Sequence, residues 1–223
     1  SCAIAASKPP INATPKDVYL ILVPLFHVHQ WGYPYLFMLG GNKYVLPGKY
    51  DPTMELVLLK NEGVTFSAMV PTILYMILTH PDAPKYSEVF KKWRIIIGGA
   101  ALPRGLAETA RKFGITVISG YGLSETAPVL TISYYNSKVE KLPEEKQFEQ
   151  QIKTGVPIPL VELRVVDPEF RDVPHDGNTV GEIVVRAPWL TREYYKDPEK
   201  TMKLWSGGWL HTGDLAVVDE YGY

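Results

Sequence analysis

A chain of 223 residues, 46% hydrophobic and 21% charged, has the material for a large buried core and the composition of an ordinary globular protein. Its 23 basic and 24 acidic residues sum to −1, which removes the electrostatic case for a nucleic-acid or anionic-membrane partner. The single cysteine, Cys2, excludes an internal disulfide and a cysteine metal cluster and agrees with a reducing, cytoplasmic setting. No apolar run reaches the roughly 18 residues of a membrane-spanning helix. No secretory leader is visible, and the chain stops inside an apparent turn, Asp219-Glu220-Tyr221-Gly222, so an excerpt of a longer protein is expected.

In chain order, Val18 to Val23 is a continuous apolar run, as in strands buried on both faces. Trp31 to Leu39 predicts a buried helix and Tyr44 to Leu46 a short strand. Asp51-Pro52 opens a helix through about Asn61, with proline accommodated in its first turn. Val64 to Met69 is the next strand, and Pro71 starts a helix to about His80. Arg94 to Ile97, Pro103 to Phe113 and Ile115 to Ser119 read as strand, helix, strand. This alternation implies crossover units, hence an α/β fold with a largely parallel sheet and flanking helices.

Residues 136–153 change character. Lys138, Glu140, Lys141, Glu144, Glu145, Lys146 and Glu149 predict an exposed helical excursion whose charges form a solvated face, a partner contact being the other option. From residue 154 the pattern is β-rich. Glu162 to Val166 and Glu182 to Arg186 are strands separated by the turn-formers Pro174, Asp176, Gly177 and Asn178. Asp197-Pro198 opens a short helix to Leu204, and Leu215 to Val218 is a last strand. The expected division is an α/β subdomain over 1–135, the excursion over 136–153, and a smaller β-rich subdomain over 154–223.

Chemistry concentrates where strands end. Tyr121-Gly122-Leu123-Ser124-Glu125-Thr126 follows an apolar strand and gathers glycines, a ring, hydroxyls and one carboxylate. A ring can lie on a base, hydroxyls can meet phosphate, and a carboxylate can hold a divalent cation. Its plainer reading has Ser124 and Glu125 capping a helix; an aromatic between glycines, followed by Glu-Thr, favours function. Gly98-Gly99-Ala100-Ala101-Leu102-Pro103 joins a strand to a helix, as an ordinary tight turn would, and it lacks the third glycine of a dinucleotide fingerprint. In Phe26-His27-Val28-His29, alternate positions of an extended segment would put His27 and His29 on one side. No third metal ligand is evident, so a histidine lining a pocket beside Trp31 is the better reading. His211-Thr212-Gly213-Asp214 precedes an apolar strand; its aspartate suits either ribose hydroxyls or its own turn.

Taken in order, these segments resemble the acyl-adenylate-forming superfamily of acyl-CoA synthetases, luciferases and peptide-synthetase adenylation domains. The matching pieces are Pro24-Leu25-Phe26-His27, Gly98 to Pro103, Tyr121 to Thr126, Gly181-Glu182-Ile183-Val184-Val185-Arg186 and Gly208-Trp209-Leu210-His211-Thr212-Gly213-Asp214. Phe26 to Trp31 and Lys153-Thr154-Gly155-Val156-Pro157-Ile158-Pro159 are most similar to long- and medium-chain fatty acyl-CoA synthetases.

The resemblance implies ATP, Mg²⁺ and coenzyme A as cofactors and a fatty acid as substrate. It places Tyr121 and Gly122 against the nucleotide, with Gly99, Ala100 and Ala101 bordering adenine and the acyl carbonyl. It implies phosphate contact by Thr126, Mg²⁺ at Glu125, ribose at Asp214, and the carboxylate–nucleotide meeting point at His27. Trp31, with Gly98 and Gly99, falls on the acyl side. Ligases for aryl or other acids and a non-catalytic nucleotide-binding module are the alternatives, and a homodimer stays open. Ala187 stands where many relatives carry glycine. The chain has neither the Ser/Thr/Gly-rich phosphate loop with its lysine nor the Asp-Arg hinge and lid domain, so it is expected to be inactive alone.

Overall fold

The computed structural model describes residues 11–223; Cys2 lies outside them. Seven strands form the main sheet in the order β2-β1-β3-β4-β5-β6-β7: β1 (Val18–Ile21), β2 (Lys43–Val45), β3 (Phe66–Met69), β4 (Arg94–Ile97), β5 (Thr116–Gly122), β6 (Val129–Ile132) and β7 (Val156–Pro157). The first five pair in parallel and the last two add antiparallel. The largely parallel sheet read from the sequence is therefore the one observed.

Side chains of these strands alternate between two faces. Leu20, Ile95 and Ile97 point to a core shared with Leu56, Leu59, Leu74, Ile77 and Trp93. These come from or follow helices α2 (Pro52–Asn61), α3 (Pro71–Leu78) and α4 (Ser87–Phe90). Tyr19, Phe66, Ala68, Ile96 and Ile118 point the other way, against Tyr33 and Phe37 of α1 (Tyr33–Leu39). The Tyr19 and Phe37 rings stack with centroids 4.7 Å apart. Only the inner face of α1 is buried: Met38 is 71% and Leu39 86% exposed, so the buried helix expected over Trp31 to Leu39 is corrected to a one-sided one over Tyr33–Leu39.

The stop and start signals act locally. Asp51 accepts a hydrogen bond from Thr53 N at 2.9 Å at the start of α2, with Pro52 in its first turn. Asp197 does the same for α7 (Pro198–Leu204) through Lys200 N at 3.0 Å.

The charged stretch is not merely a solvated face. Its helix α6 (Glu144–Gln151) buries Phe148 against the core and lays that ring 4.8 Å from the Arg111 guanidinium of α5 (Arg104–Lys112). Glu144 and Glu145 pair with Arg111, Glu145 also with Arg104, and Gln151 Nε2 donates to Val117 O of β5 at 2.7 Å. Its single-sided charge pattern is that of an amphipathic helix docked on the sheet's flank.

A second, antiparallel sheet has the order β10-β11-β9-β8: β8 (Glu162–Val166), β9 (Gly181–Arg186), β10 (Trp205–Ser206) and β11 (Trp209–Ala216). Its core of Val165, Ile183, Val185 and Leu210 includes Leu130 from β6, so the two sheets share packing. Ala187 packs at its margin, and its φ is not positive, so alanine is no strain there.

Candidate active site

Two segments expected just outside strands are strand in the structure. Gly120, Tyr121 and Gly122 extend β5 beyond the predicted Ser119, because β6 folds back and pairs with them, Gly120 with Ile132 and Tyr121 with Thr131. Space at Gly122 demands glycine: a Cβ there would stand 1.7 Å from Pro128 O. The chain then makes a single 3₁₀ turn, Ser124–Thr126, and Ala127, at φ 46°, reverses it into β6. Likewise His211 to Asp214 is not a turn ahead of a strand over 215–218. It is an irregular middle of β11, whose pairing with β9 shifts between His211 and Leu215 around Gly213 at φ 73°.

A cavity of about 160 Å³ opens at the end of β4 and β5, lined by His27, Trp31, Gly98, Gly99, Tyr121 and Ser124. Gly122 also lines it, and its floor is apolar, with Ile96, Val129 and Ile132. Ligands of parallel sheets bind beyond the carboxyl ends of the strands, which is where this cavity lies. The Trp31 indole packs on the glycines: a Cβ at Gly98 would meet its Cη2 at 3.3 Å. Ala100 and Ala101, expected on the same shelf, line a second cavity of about 370 Å³ with Thr154, Leu215 and Val217. Gly120 borders both, so β5 is the partition between them.

The two-histidine clamp does not form. Val28–Trp31 is a left-handed helical turn, with φ of 43°, 46°, 55° and 55°, rather than an extended segment, so alternation does not apply. Gln30 pins that turn by donating to Tyr19 Oη at 2.7 Å. His27 stays at the cavity, whereas the His29 ring lies 5.9 Å from that of Tyr35. Among the described residues no group of three or more His, Cys, Asp or Glu side chains could hold a metal ion.

Tyr121 and Asp214 meet across the two sheets. Tyr121 Oη donates to Asp214 Oδ2 at 2.7 Å; burial raises the phenol's pKa, and the bond to that carboxylate raises it further. Glu182 of β9 holds the Asp214 bulge, with Oε1 accepting from Gly213 N at 3.1 Å and Oε2 lying 2.9 Å from His211 Nδ1. Thr212 Oγ1 donates to Ile183 O at 2.8 Å, fixing the same bulge.

Thr126 requires a correction. It is fully buried, and its hydroxyl accepts from Leu123 N at 2.9 Å while facing the Pro128 carbonyl, so it holds the turn together. The hydroxyl-bearing residue of this turn that lines the cavity is Ser124, which the motif's plainer reading treats as a helix cap. No side-chain cap bond is made by that residue's turn other than through Thr126.

Glu125 is half-buried beside Ser124, and its carboxylate Oε1 accepts from Tyr194 Oη at 2.8 Å. This contact joins residues 69 apart and has no sequence signal; Tyr194-Tyr195 reads only as loop before Asp197-Pro198.

The fold thus sets the Tyr121–Asp214 contact beside a cavity with an apolar floor. The model of the AMP-binding enzyme family matches residues 2–195, and the chain belongs to this family. It is 43% identical over 210 residues to a long-chain-fatty-acid–CoA ligase of Thermus thermophilus, covering 93% of this chain and 39% of that protein. A 3-methylmercaptopropionyl-CoA ligase of Ruegeria lacuscaerulensis is 38% identical over 215 residues, covering 96% and 39%. The N-terminal domain of FACL13 from Mycobacterium tuberculosis superposes with a TM-score of 0.83 at 24% identity, over 99% of this chain and 52% of that one, which shows the shared fold. The chain thus spans 39% of the length of either ligase.

Proposed function

We propose that this chain is the central part of an AMP-forming fatty acyl-CoA ligase. The observation that carries the reading is the Tyr121–Asp214 contact standing at the rim of an apolar cavity. A ring for a base and a carboxylate for ribose hydroxyls sit where a carboxylate-tipped chain could enter from the other side.

In the first half-reaction a carboxylate oxygen of the acid attacks the α-phosphorus of ATP. The bond to the bridging oxygen breaks and pyrophosphate leaves. In the second, the coenzyme A sulfur, having lost its proton, attacks the acyl carbonyl and AMP leaves with the former carboxylate oxygen. Both steps depend on alignment and charge neutralisation more than on covalent help from the protein.

Tyr121 lies against adenine, with Gly99, Ala100, Ala101 and Gly122 close to nucleotide and acyl carbonyl. Asp214 accepts the ribose hydroxyls with the lone pairs that Tyr121 leaves. Ser124 replaces Thr126 as the hydroxyl offered to phosphate, because Thr126 is committed to its turn. His27 meets the carboxylate, and Trp31 with Gly98 borders the acyl chain. A lone half-buried carboxylate, Glu125, fits Mg²⁺, which binds through one or two carboxylates and substrate phosphates. Mg²⁺ there would neutralise phosphate charge. A compartment that supplies ATP and coenzyme A, the cytoplasm among them, is the setting this chemistry requires.

A second reading, a ligase for a different acid, is favoured by the 38% identity to the 3-methylmercaptopropionyl-CoA ligase. ATP–pyrophosphate exchange by the full-length protein, with acids from hexanoic to octadecanoic beside aryl and short sulfur-containing acids, separates the two. Exchange is expected with the fatty acids. Exchange only with an aryl or short acid would remove the acyl-chain assignment and leave the adenylating one.

A further inference from the structure

The loop between β9 and α7 belongs to the second sheet, yet it grips the Glu125 turn of the first at two points. Thr191 N donates to Glu125 O at 2.8 Å, and Tyr194 Oη donates to Glu125 Oε1 at 2.8 Å. The loop itself is tied down. Trp205 Nε1 donates to Thr191 O at 3.2 Å, and Tyr194 N donates to Thr201 Oγ1 at 2.9 Å. Thr201 Oγ1 in turn donates to Asp197 O at 2.8 Å, within the first turn of α7. A side chain reached through this many fixed bonds is a support with its own anchorage.

We infer that Tyr194 is a positioning residue for Glu125, aiming its carboxylate at the cation that accompanies the ATP phosphates; this rests on the reading of Glu125 as the metal carboxylate. The chemistry of the donor favours that role over a structural bond alone. A free glutamate has three rotatable bonds, and ordering them costs entropy that a ligand must otherwise supply. A phenol fixes one carboxylate oxygen without bringing a positive charge, whereas lysine or arginine would compete with the cation.

The test uses the full-length protein and ATP–pyrophosphate exchange at varied Mg²⁺. Tyr194→Phe is expected to raise the Mg²⁺ concentration at half-maximal exchange roughly tenfold, the effect of losing one hydrogen bond to a charged group. The KM for the fatty acid stays unchanged, and saturating Mg²⁺ restores most of the rate. Tyr195→Phe, at an 86% exposed neighbour, is expected to change neither. Glu125→Gln separates the inference from its premise. If Glu125→Gln shifts the Mg²⁺ dependence and Tyr194→Phe does not, the positioning role is overturned while the metal role stands. If neither shifts it, the metal role falls and takes the positioning role with it. Equal loss of Mg²⁺ and acid affinity in Tyr194→Phe also overturns the inference, because it marks a general disturbance of the site.

Discussion

Glu55 shows how one residue can set the pH dependence of a fold. It lies on α2, fully buried, and neither carboxylate oxygen has a hydrogen-bond partner among the described residues. Burial pushes its pKa up to about 7; the Asp51 carboxylate adds to this and the Asp51 backbone opposes it. Tyr50 and Asp51 are the titratable groups coupled to it, and neither brings a positive charge. Because the folded pKa is above the unfolded one, folding is unpenalised at low pH. The penalty grows as pH rises from the unfolded value through about 7, then levels off. Glu55→Leu is therefore expected to raise stability above pH 7 by on the order of 3 kcal/mol. It should also flatten the decline between about pH 5 and 7, and urea midpoints across that range provide the measurement. An unchanged pH profile would mean that Glu55 finds a partner in the full-length protein. At this scale the sequence was least legible. Ser124 and Thr126 carry similar hydroxyls two positions apart, and only the fold decides which one the turn consumes. Asp17 is similar: its burial raises its pKa, but hydrogen bonds from Thr65, Thr14 and Arg94 outweigh that and lower it. None of these partners lies beside it by spacing except Thr14.

Elements were legible where their signals are local. Asp-Pro pairs announced α2 and α7, because the aspartate caps and the proline fits the first turn of the same few residues. The parallel strands were legible because burial on both faces makes them continuous apolar runs. What stayed hidden depends on distant pairing: β5 continues through Tyr121-Gly122 only because β6 returns to it, and β11 runs through His211 to Asp214 only because β9 lies beside it. The charged helix α6 was legible as a helix but not as a docked one. Its exposed ion pairs with Arg104 and Arg111 contribute little, so the docking rests on Phe148, which is 5% exposed. Phe148→Ala is expected to cost about 3–4 kcal/mol, as for other buried aromatics cut to alanine. Glu145→Ala should leave the thermal midpoint almost unmoved. The reverse order of effects, read by differential scanning calorimetry, would show that charge pairing docks the helix.

For the whole molecule, the site is a seam. The main sheet and the turn after β5 supply Tyr121 and Glu125, and the second sheet and its loop supply Asp214 and Tyr194, so the proposed adenine ring meets the proposed ribose carboxylate, and the proposed metal carboxylate meets Tyr194, across the two sheets. Binding at such a seam depends on how the sheets are held together as well as on the groups themselves. The Tyr121–Asp214 bond tests this, because its two ends have different proposed jobs. Tyr121→Phe keeps the ring for adenine and removes only the donor; Asp214→Asn keeps the shape and removes the charge. If the pair acts as one unit, each change in the full-length protein raises the KM for ATP in pyrophosphate exchange, Asp214→Asn by roughly tenfold and Tyr121→Phe by less. The double variant should then be less impaired than the product of the single effects, by a coupling of about 1 kcal/mol, as residues in contact are non-additive. The KM for the acid should stay unchanged in Asp214→Asn, since Asp214 is not among the residues lining the acyl cavity, whereas Tyr121 lines it. Strict additivity would mean that ring and carboxylate meet the nucleotide independently, and that the 2.7 Å bond between them carries no part of ATP binding.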